Sequence, residues 1–84
     1  MHELSLANGI LDIVRQYVPV ERAPRVRTVR VRVGDLAGVV PDSLAWCFSA
    51  IVFDISYQTA SLAIDQTIGQ ELQVADIELE EETP

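Results

Sequence analysis

The stretch Thr28-Val29-Arg30-Val31-Arg32-Val33 decides the predicted fold, because its residues alternate strictly between apolar and polar side chains. β-branched valines at a period of two indicate a strand with one buried face. The threonine and the arginines then lie on the opposite face, in contact with water. The Gly34-Asp35 pair that follows is expected to end the strand or to introduce a bulge.

Upstream of this strand, residues 5–18 are predicted to form an amphipathic helix. Ser5 suits the N-cap position, because its hydroxyl can accept a hydrogen bond from a backbone N–H at the start of the helix. Pro19 ends the helix, since the residue before a proline avoids helical geometry. The apolar stripe of this helix consists of Leu6, Ile10, Leu11, Val14, Tyr17 and Val18.

A second helix is predicted at residues 41–54, where Pro41 and Asp42 suit the first turn. Its apolar residues cover more than half of its circumference, and they are Leu44, Trp46, Cys47, Phe48, Ile51, Val52 and Phe53. Such a helix is usually covered on more than one side, which indicates a partner surface or a dimer. We interpret its aromatic residues as core rather than as a surface that stacks on a ligand, and Cys47 as a small buried apolar residue.

Two short strands are predicted after a loop at residues 55–60: one at Leu62 and Ile64, the other at residues 71–79. The apolar parity of the second shifts at Ala75-Asp76, which indicates a bulge. Residues 66–70, between the two strands, are short enough for a hairpin loop. The chain is therefore predicted to be one α+β domain over residues 1–84, with two helices packed on one face of a small, mostly antiparallel three-stranded sheet.

The composition limits the class of function. The chain has 84 residues, of which 49% are hydrophobic, so it is not a low-hydrophobicity disordered segment. Its formal net charge of −7 argues against nucleic-acid binding. No apolar run is long enough to span a bilayer, and the N-terminus lacks the pattern of a secretory signal, so a cytoplasmic protein is expected. One cysteine excludes both an internal disulfide and a cysteine-rich zinc site.

The N-terminus, Met1-His2-Glu3, offers the best candidate for a metal site. The α-amine of Met1, the backbone nitrogen of His2 and the imidazole of His2 can close fused chelate rings around one cation. A further amide or carboxylate, from Glu3 or nearby, would complete four ligands. Square-planar nitrogen-rich sites suit Ni(II) or Cu(II). The alternative is a solvent-exposed terminal histidine without a ligand role.

The remaining residues do not point to an enzyme. The sequence has no second histidine for a catalytic triad or a paired metal site, and no histidine next to Cys47. Gly34 and Gly38 do not form a phosphate-binding loop. The acidic run at Glu78 and residues 80–82 is interpreted as a solvated tail.

Several segments resemble the HypA/HybF family of hydrogenase-maturation nickel metallochaperones. The opening MHELSLA of residues 1–7 is similar to the start of the family, and GQELQVADIE at residues 69–78 is similar to its closing strand. Further similar segments are VRVRVGDL at residues 29–36, VVPDSL at residues 39–44 and SLAID at residues 61–65. The resemblance implies that Met1, His2 and Glu3 hold Ni(II), and that the protein passes the metal to a HypB-type GTPase or to a hydrogenase large-subunit precursor.

The sequence departs from the family where the family carries a zinc domain with two Cys-x-x-Cys motifs. Both motifs are absent, and residues 66–70 form a short loop in place of that domain. We therefore expect no zinc. Because the second helix is so apolar and the loss of a domain leaves sheet edges open, we also expect a homo-oligomer, with elements exchanged between chains as one route to it. The competing interpretation is a non-catalytic interaction or oligomerisation domain that keeps the fold without delivering metal.

Overall fold

A computed structural model of the chain describes residues 3–53 and 56–80. These residues form two α-helices, one 3-10 helix and three strands. In chain order they are α1 (Glu3–Tyr17), the 3-10 helix (Val20–Arg25), β1 (Val26–Gly34), α2 (Pro41–Val52), β2 (Ser61–Thr67) and β3 (Leu72–Leu79). The two helices and three strands predicted above are present, and the connection at residues 20–25 is itself helical.

The observed helices differ from the prediction at both ends of α1 and at the end of α2. Helix α1 already begins at Glu3, so Ser5 lies inside the helix and its predicted role as N-cap is wrong. Helix α2 begins at Pro41 as predicted and ends at Val52. A proline is well suited to the first turn because it has no N–H to leave without a partner there.

Strand β1 lies at the centre of the sheet, which has the order β2-β1-β3. It pairs with β2 in parallel and with β3 in antiparallel orientation, so the sheet is mixed. The α+β fold class is confirmed, with helices on one face of a three-stranded sheet. The parallel pair is made possible by α2, because a parallel connection needs a crossover of a dozen or more residues.

The hairpin predicted between β2 and β3 is wrong, since these strands lie on opposite sides of β1. Their connection crosses over the end of β1 instead. The backbone N–H groups of Gly34, Asp35 and Leu36 donate to the carbonyl oxygens of Glu71, Thr67 and Gly69 at 2.6, 2.8 and 2.7 Å. The backbone N–H of Gly69 in turn donates to Asp35 Oδ1 at 2.8 Å. A Cβ on Gly34 would overlap the carbonyl group of Gly69, so this crossing requires glycine.

The core lies between the helices and the covered face of the sheet. The valines of β1 that were predicted to face inward, Val29, Val31 and Val33, are all buried. They meet the inward faces of both helices, which consist of Ala7, Ile10, Leu11, Val14, Leu44, Phe48 and Val52. The bulge predicted near Ala75 is confirmed, because the register of β3 shifts between the Arg30–Asp76 and Val31–Val74 pairs.

We predict opposite effects for alanine at two glycines. Gly34→Ala is expected to lower the free energy of unfolding by at least about 2 kcal/mol, because its methyl group meets fixed backbone. Gly9→Ala is the control: it lies in α1 with open space around its Cβ position. Alanine there should raise the free energy of unfolding by about 0.5–1 kcal/mol. Urea denaturation measures both values, and similar effects of the two changes would contradict the crossing described above.

Candidate functional site

The predicted metal site falls at the edge of the described structure. Met1 and His2 lie outside the described residues. Glu3 is the first residue of α1 and is partly buried. Of the predicted ligands, the structure therefore places one, at the first turn of a helix.

The start of α1 has chemical features that bear on metal binding. Backbone N–H groups in the first turn of a helix have no acceptor within that helix. If a backbone nitrogen of this turn binds a metal ion, the helix therefore loses no hydrogen bond. The positive end of the helix dipole opposes a cation, and an acidic residue in the first turn, here Glu3, offsets that effect.

No other metal site is found in the described part of the chain. Within residues 3–53 and 56–80 there is no group of three or more His, Cys, Asp or Glu side chains that could hold a metal ion. Cys47 is free and partly buried, and it packs against the core from α2. This agrees with its interpretation as a small apolar residue.

Helix α2 leaves part of its apolar surface uncovered. Phe48 is fully buried, as predicted, but Trp46 and Phe53 are 73% and 71% exposed. The prediction that these two belong to the core is wrong. Residues seven positions apart share a helix face, and this face points away from Leu44 and Phe48. Trp46 of α2 and Phe53, which directly follows α2, thus form an exposed aromatic pair with Ser49 and Ala50 between them.

The open face of the sheet carries charges that compensate one another. Arg30 Nη1 lies 3.5 Å from Asp76 Oδ1, and Arg27 pairs with Glu80. Arg32 is exposed and lies between Asp65 of β2 and Gln73 of β3 in the register. Cations from the central strand therefore alternate with acids from the edges, as the predicted arginine-bearing wet face implies.

A groove between α1 and β3 was not predicted from the sequence. It has a volume of about 740 Å³ and is lined by Ile13, Gln16 and Tyr17 of α1 and by Val74, Ile77 and Leu79 of β3, among others. We call it the α1–β3 groove. It exists because α1 packs mainly on α2 and only lightly on β3. Periodicity alone identifies the apolar face of each element but not the distance between two such faces.

Comparisons with known proteins assign the family. The model of the HypA family, described as hydrogenase/urease nickel incorporation metallochaperone, matches residues 1–71. The chain belongs to the HypA family. This confirms the recognition based on the opening segment and on the strand and helix motifs.

Individual members of the HypA family are similar over most of this chain. Hydrogenase maturation factor HypA of Chlorobium luteolum is 37% identical over 70 residues, which are 83% of this chain and 60% of that protein. The protein of the same name from Alkalilimnicola ehrlichii is 43% identical over 70 residues, which are 83% of this chain and 62% of that protein. The match therefore spans about 60% of the length of these relatives.

A solved structure supports the same fold. The solution structure of the nickel metallochaperone HypA from Helicobacter pylori matches with a TM-score of 0.77 at 14% identity, over 98% of this chain and 100% of that one. At this identity the match speaks to the fold alone. Among the described helices, none is long and apolar enough to cross a membrane.

We predict that two aromatic residues of α2 differ sharply in their effect on stability. Phe48→Ala removes a fully buried ring and should lower the free energy of unfolding by about 3–5 kcal/mol. Trp46→Ala removes an exposed ring and should change it by no more than about 0.5 kcal/mol. Chemical denaturation followed by circular dichroism checks both variants. A large loss for Trp46→Ala in the monomeric protein would mean that the ring is covered.

Proposed function

We propose that this protein is a non-catalytic nickel metallochaperone of the cytoplasm that serves nickel-iron hydrogenase maturation and carries Ni(II) as cargo at Met1, His2 and Glu3. The observation that carries the proposal is the family match, which includes the first residue of the chain and runs to residue 71. The similar proteins named above are hydrogenase maturation factors.

The donor set at the N-terminus suits Ni(II) on chemical grounds. An α-amine, a backbone nitrogen and an imidazole supply three nitrogen donors, and the fourth comes from Glu3 or a neighbouring amide. Square-planar sites of this kind favour Ni(II) and Cu(II) over Zn(II), which prefers a tetrahedral set. The position of Glu3 at the first turn of α1 supports this choice, because its backbone N–H has no acceptor within the helix.

Zinc is not part of the proposal. A structural zinc site needs about four Cys or His ligands. The chain contains one cysteine and one histidine, and the histidine is the residue assigned to nickel. We propose that nickel passes from this domain to a HypB-type GTPase or to a hydrogenase large-subunit precursor without a zinc module taking part.

Nickel titration of untagged protein, with its N-terminal methionine verified by intact mass, tests the site. Calorimetry should give one Ni(II) per chain, and His2→Ala should weaken binding by roughly 100-fold, or about 2.7 kcal/mol. Binding should also weaken as the pH falls, because the nitrogen ligands must lose protons before they bind the metal.

Two further variants test whether nickel binding requires the imidazole at position 2 and the free amine at Met1. The double variant His2→Ala, Ser5→His keeps one histidine in the chain but moves it into α1, and its nickel affinity should stay as low as that of His2→Ala. A histidine-free tag fused before Met1 removes the free amine from the site and should weaken binding to a similar extent. Parent-like affinity in His2→Ala or in the tagged protein would contradict the proposed ligand set.

The second candidate function is an interaction or oligomerisation domain. The observation that favours it is the exposed aromatic pair, Trp46 of α2 and Phe53 directly after it. Large apolar side chains that share an exposed face often mark a contact with another protein. Self-association and nickel carriage are compatible, so this candidate competes with the first only if the metal tests fail.

We predict that the protein self-associates and that the aromatic pair contributes to it. Sedimentation velocity across the micromolar range should show a species larger than the monomer, and the double variant Trp46→Ser, Phe53→Ser should shift it toward the monomer. Ile68→Ser is the matched control, because Ile68 is 93% exposed but lies on the β2–β3 connection. A monomer at every concentration means that the prediction is wrong. Loss of assembly in both variants would mean that the aromatic pair has no specific role.

A further inference from the structure

Strand β3 has an apolar face that the helices cover incompletely. Its inward residues Leu72, Val74, Ile77 and Leu79 are all only partly buried, whereas Val29 and Val31 of the neighbouring β1 are fully buried. The difference arises because α1 stands away from β3 and leaves the α1–β3 groove open along its length. Tyr17, at the rim of this groove, is 75% exposed.

Among residues 3–53 and 56–80, nothing pairs with the outer backbone edge of β3, which runs beside the groove. The Glu71 carbonyl accepts from Gly34 N–H, and Glu80 N–H donates to the Arg25 carbonyl, so both of these groups point toward β1. Backbone groups alternate in direction along a strand, so those of Leu72 and Leu79 point away from β1. The same alternation, followed inward from Leu72 and from Leu79, means that the backbone groups of Val74 and Ile77 also point away from β1. The residues whose side chains line the groove are thus those whose N–H and C=O groups are open to a further strand.

The edge of β3 that pairs with β1 indicates what kind of strand would fit the opposite, free edge. The valines of β1 face the core, while its arginines meet acids of β3. Arg30 lies 3.5 Å from Asp76, and Arg27 pairs with Glu80. Glu78 is exposed between these two acids. A further strand of alternating apolar and basic residues would repeat this arrangement at the free edge.

Charge argues against a second copy of this chain as the occupant. Two β3 strands paired in antiparallel fashion about Ile77 would place Asp76 of each directly opposite Glu78 of the other. Like charges at directly opposed positions destabilise a strand pair.

We propose that the α1–β3 groove and the free edge of β3 form a docking site for an extended segment of a partner protein with alternating apolar and basic residues. The segment adds a fourth strand beside residues 77–79, in the manner of strand addition to an open sheet edge. Its apolar side chains enter the groove between Ile13 and Tyr17, and its basic side chains lie next to Glu78. This surface does not include Glu3, the one proposed nickel ligand among the described residues, and the proposal does not depend on metal binding.

A synthetic peptide with the sequence of residues 26–34, VRTVRVRVG, acetylated and amidated, is the test probe because β3 already accepts this pattern. Titrated into the isotope-labelled full chain, it should bind with Kd below about 1 mM. The amide shifts should be concentrated at residues 72–79 and at the Ile13 and Tyr17 positions of α1. A peptide in which all three arginines are replaced by glutamate should bind at least about tenfold more weakly.

Variants at exposed positions keep the test independent of folding. Tyr17→Ser should raise the Kd by about fivefold or more, whereas Trp46→Ser, which removes an equally exposed ring on α2, should change it by less than about twofold. Glu78→Gln should weaken binding of the arginine peptide and reduce its salt dependence. The proposal is overturned by an absence of binding, by equal affinity for the glutamate peptide, by equal effects of Tyr17→Ser and Trp46→Ser, or by shifts centred on β1 and β2, which would mean strand exchange.

Discussion

The structure depends on the double pairing of β1. In the described sheet, β1 alone forms hydrogen bonds to two other strands. Its inward valines belong to the same buried core as the inward residues of both helices. The pairing with β2 is parallel and therefore requires α2 to cross over the sheet. The pairing with β3 is antiparallel and requires the chain to cross the end of β1 at Gly34. A change that displaces β1 would therefore affect every other element.

The sequence predicted the elements well because their signals are local. The alternation of valine and arginine in β1 identified both the strand and its wet face, and Pro41 marked the start of α2. The bulge near Ala75 was visible as a shift in apolar parity. The strand order was not predictable in this way, because a loop of five residues fits a hairpin as well as a crossing over the end of another strand. What decides between them is a set of non-local hydrogen bonds made by Gly34 and its neighbours.

Of the candidate functional surfaces, only the N-terminal metal ligands were predictable from the sequence. The chelating potential of Met1-His2-Glu3 follows from covalent chemistry, so it could be stated without a fold, and the structure adds the helical position of Glu3. The prediction that Trp46 and Phe53 belong to the core is wrong because apolar character alone does not determine burial. Helix α2 has room for one apolar face against the core, which Leu44 and Phe48 fill. The α1–β3 groove escaped prediction because it depends on how far α1 stands from β3, a distance that no sequence period encodes.

Helix α1 connects the two surfaces proposed here. Glu3 is its first residue, while Ile13 and Tyr17, which line the α1–β3 groove, lie in its last two turns. At 1.5 Å per residue, Glu3 and Tyr17 are about 21 Å apart along the helix axis. The helix is anchored between these points by Ala7, Ile10, Leu11 and Val14, all buried in the core. A strand docked beside Tyr17 would therefore leave the first turn of α1 accessible, which is what the proposed Ni(II) site at the other end of the helix requires of a partner bound at the groove.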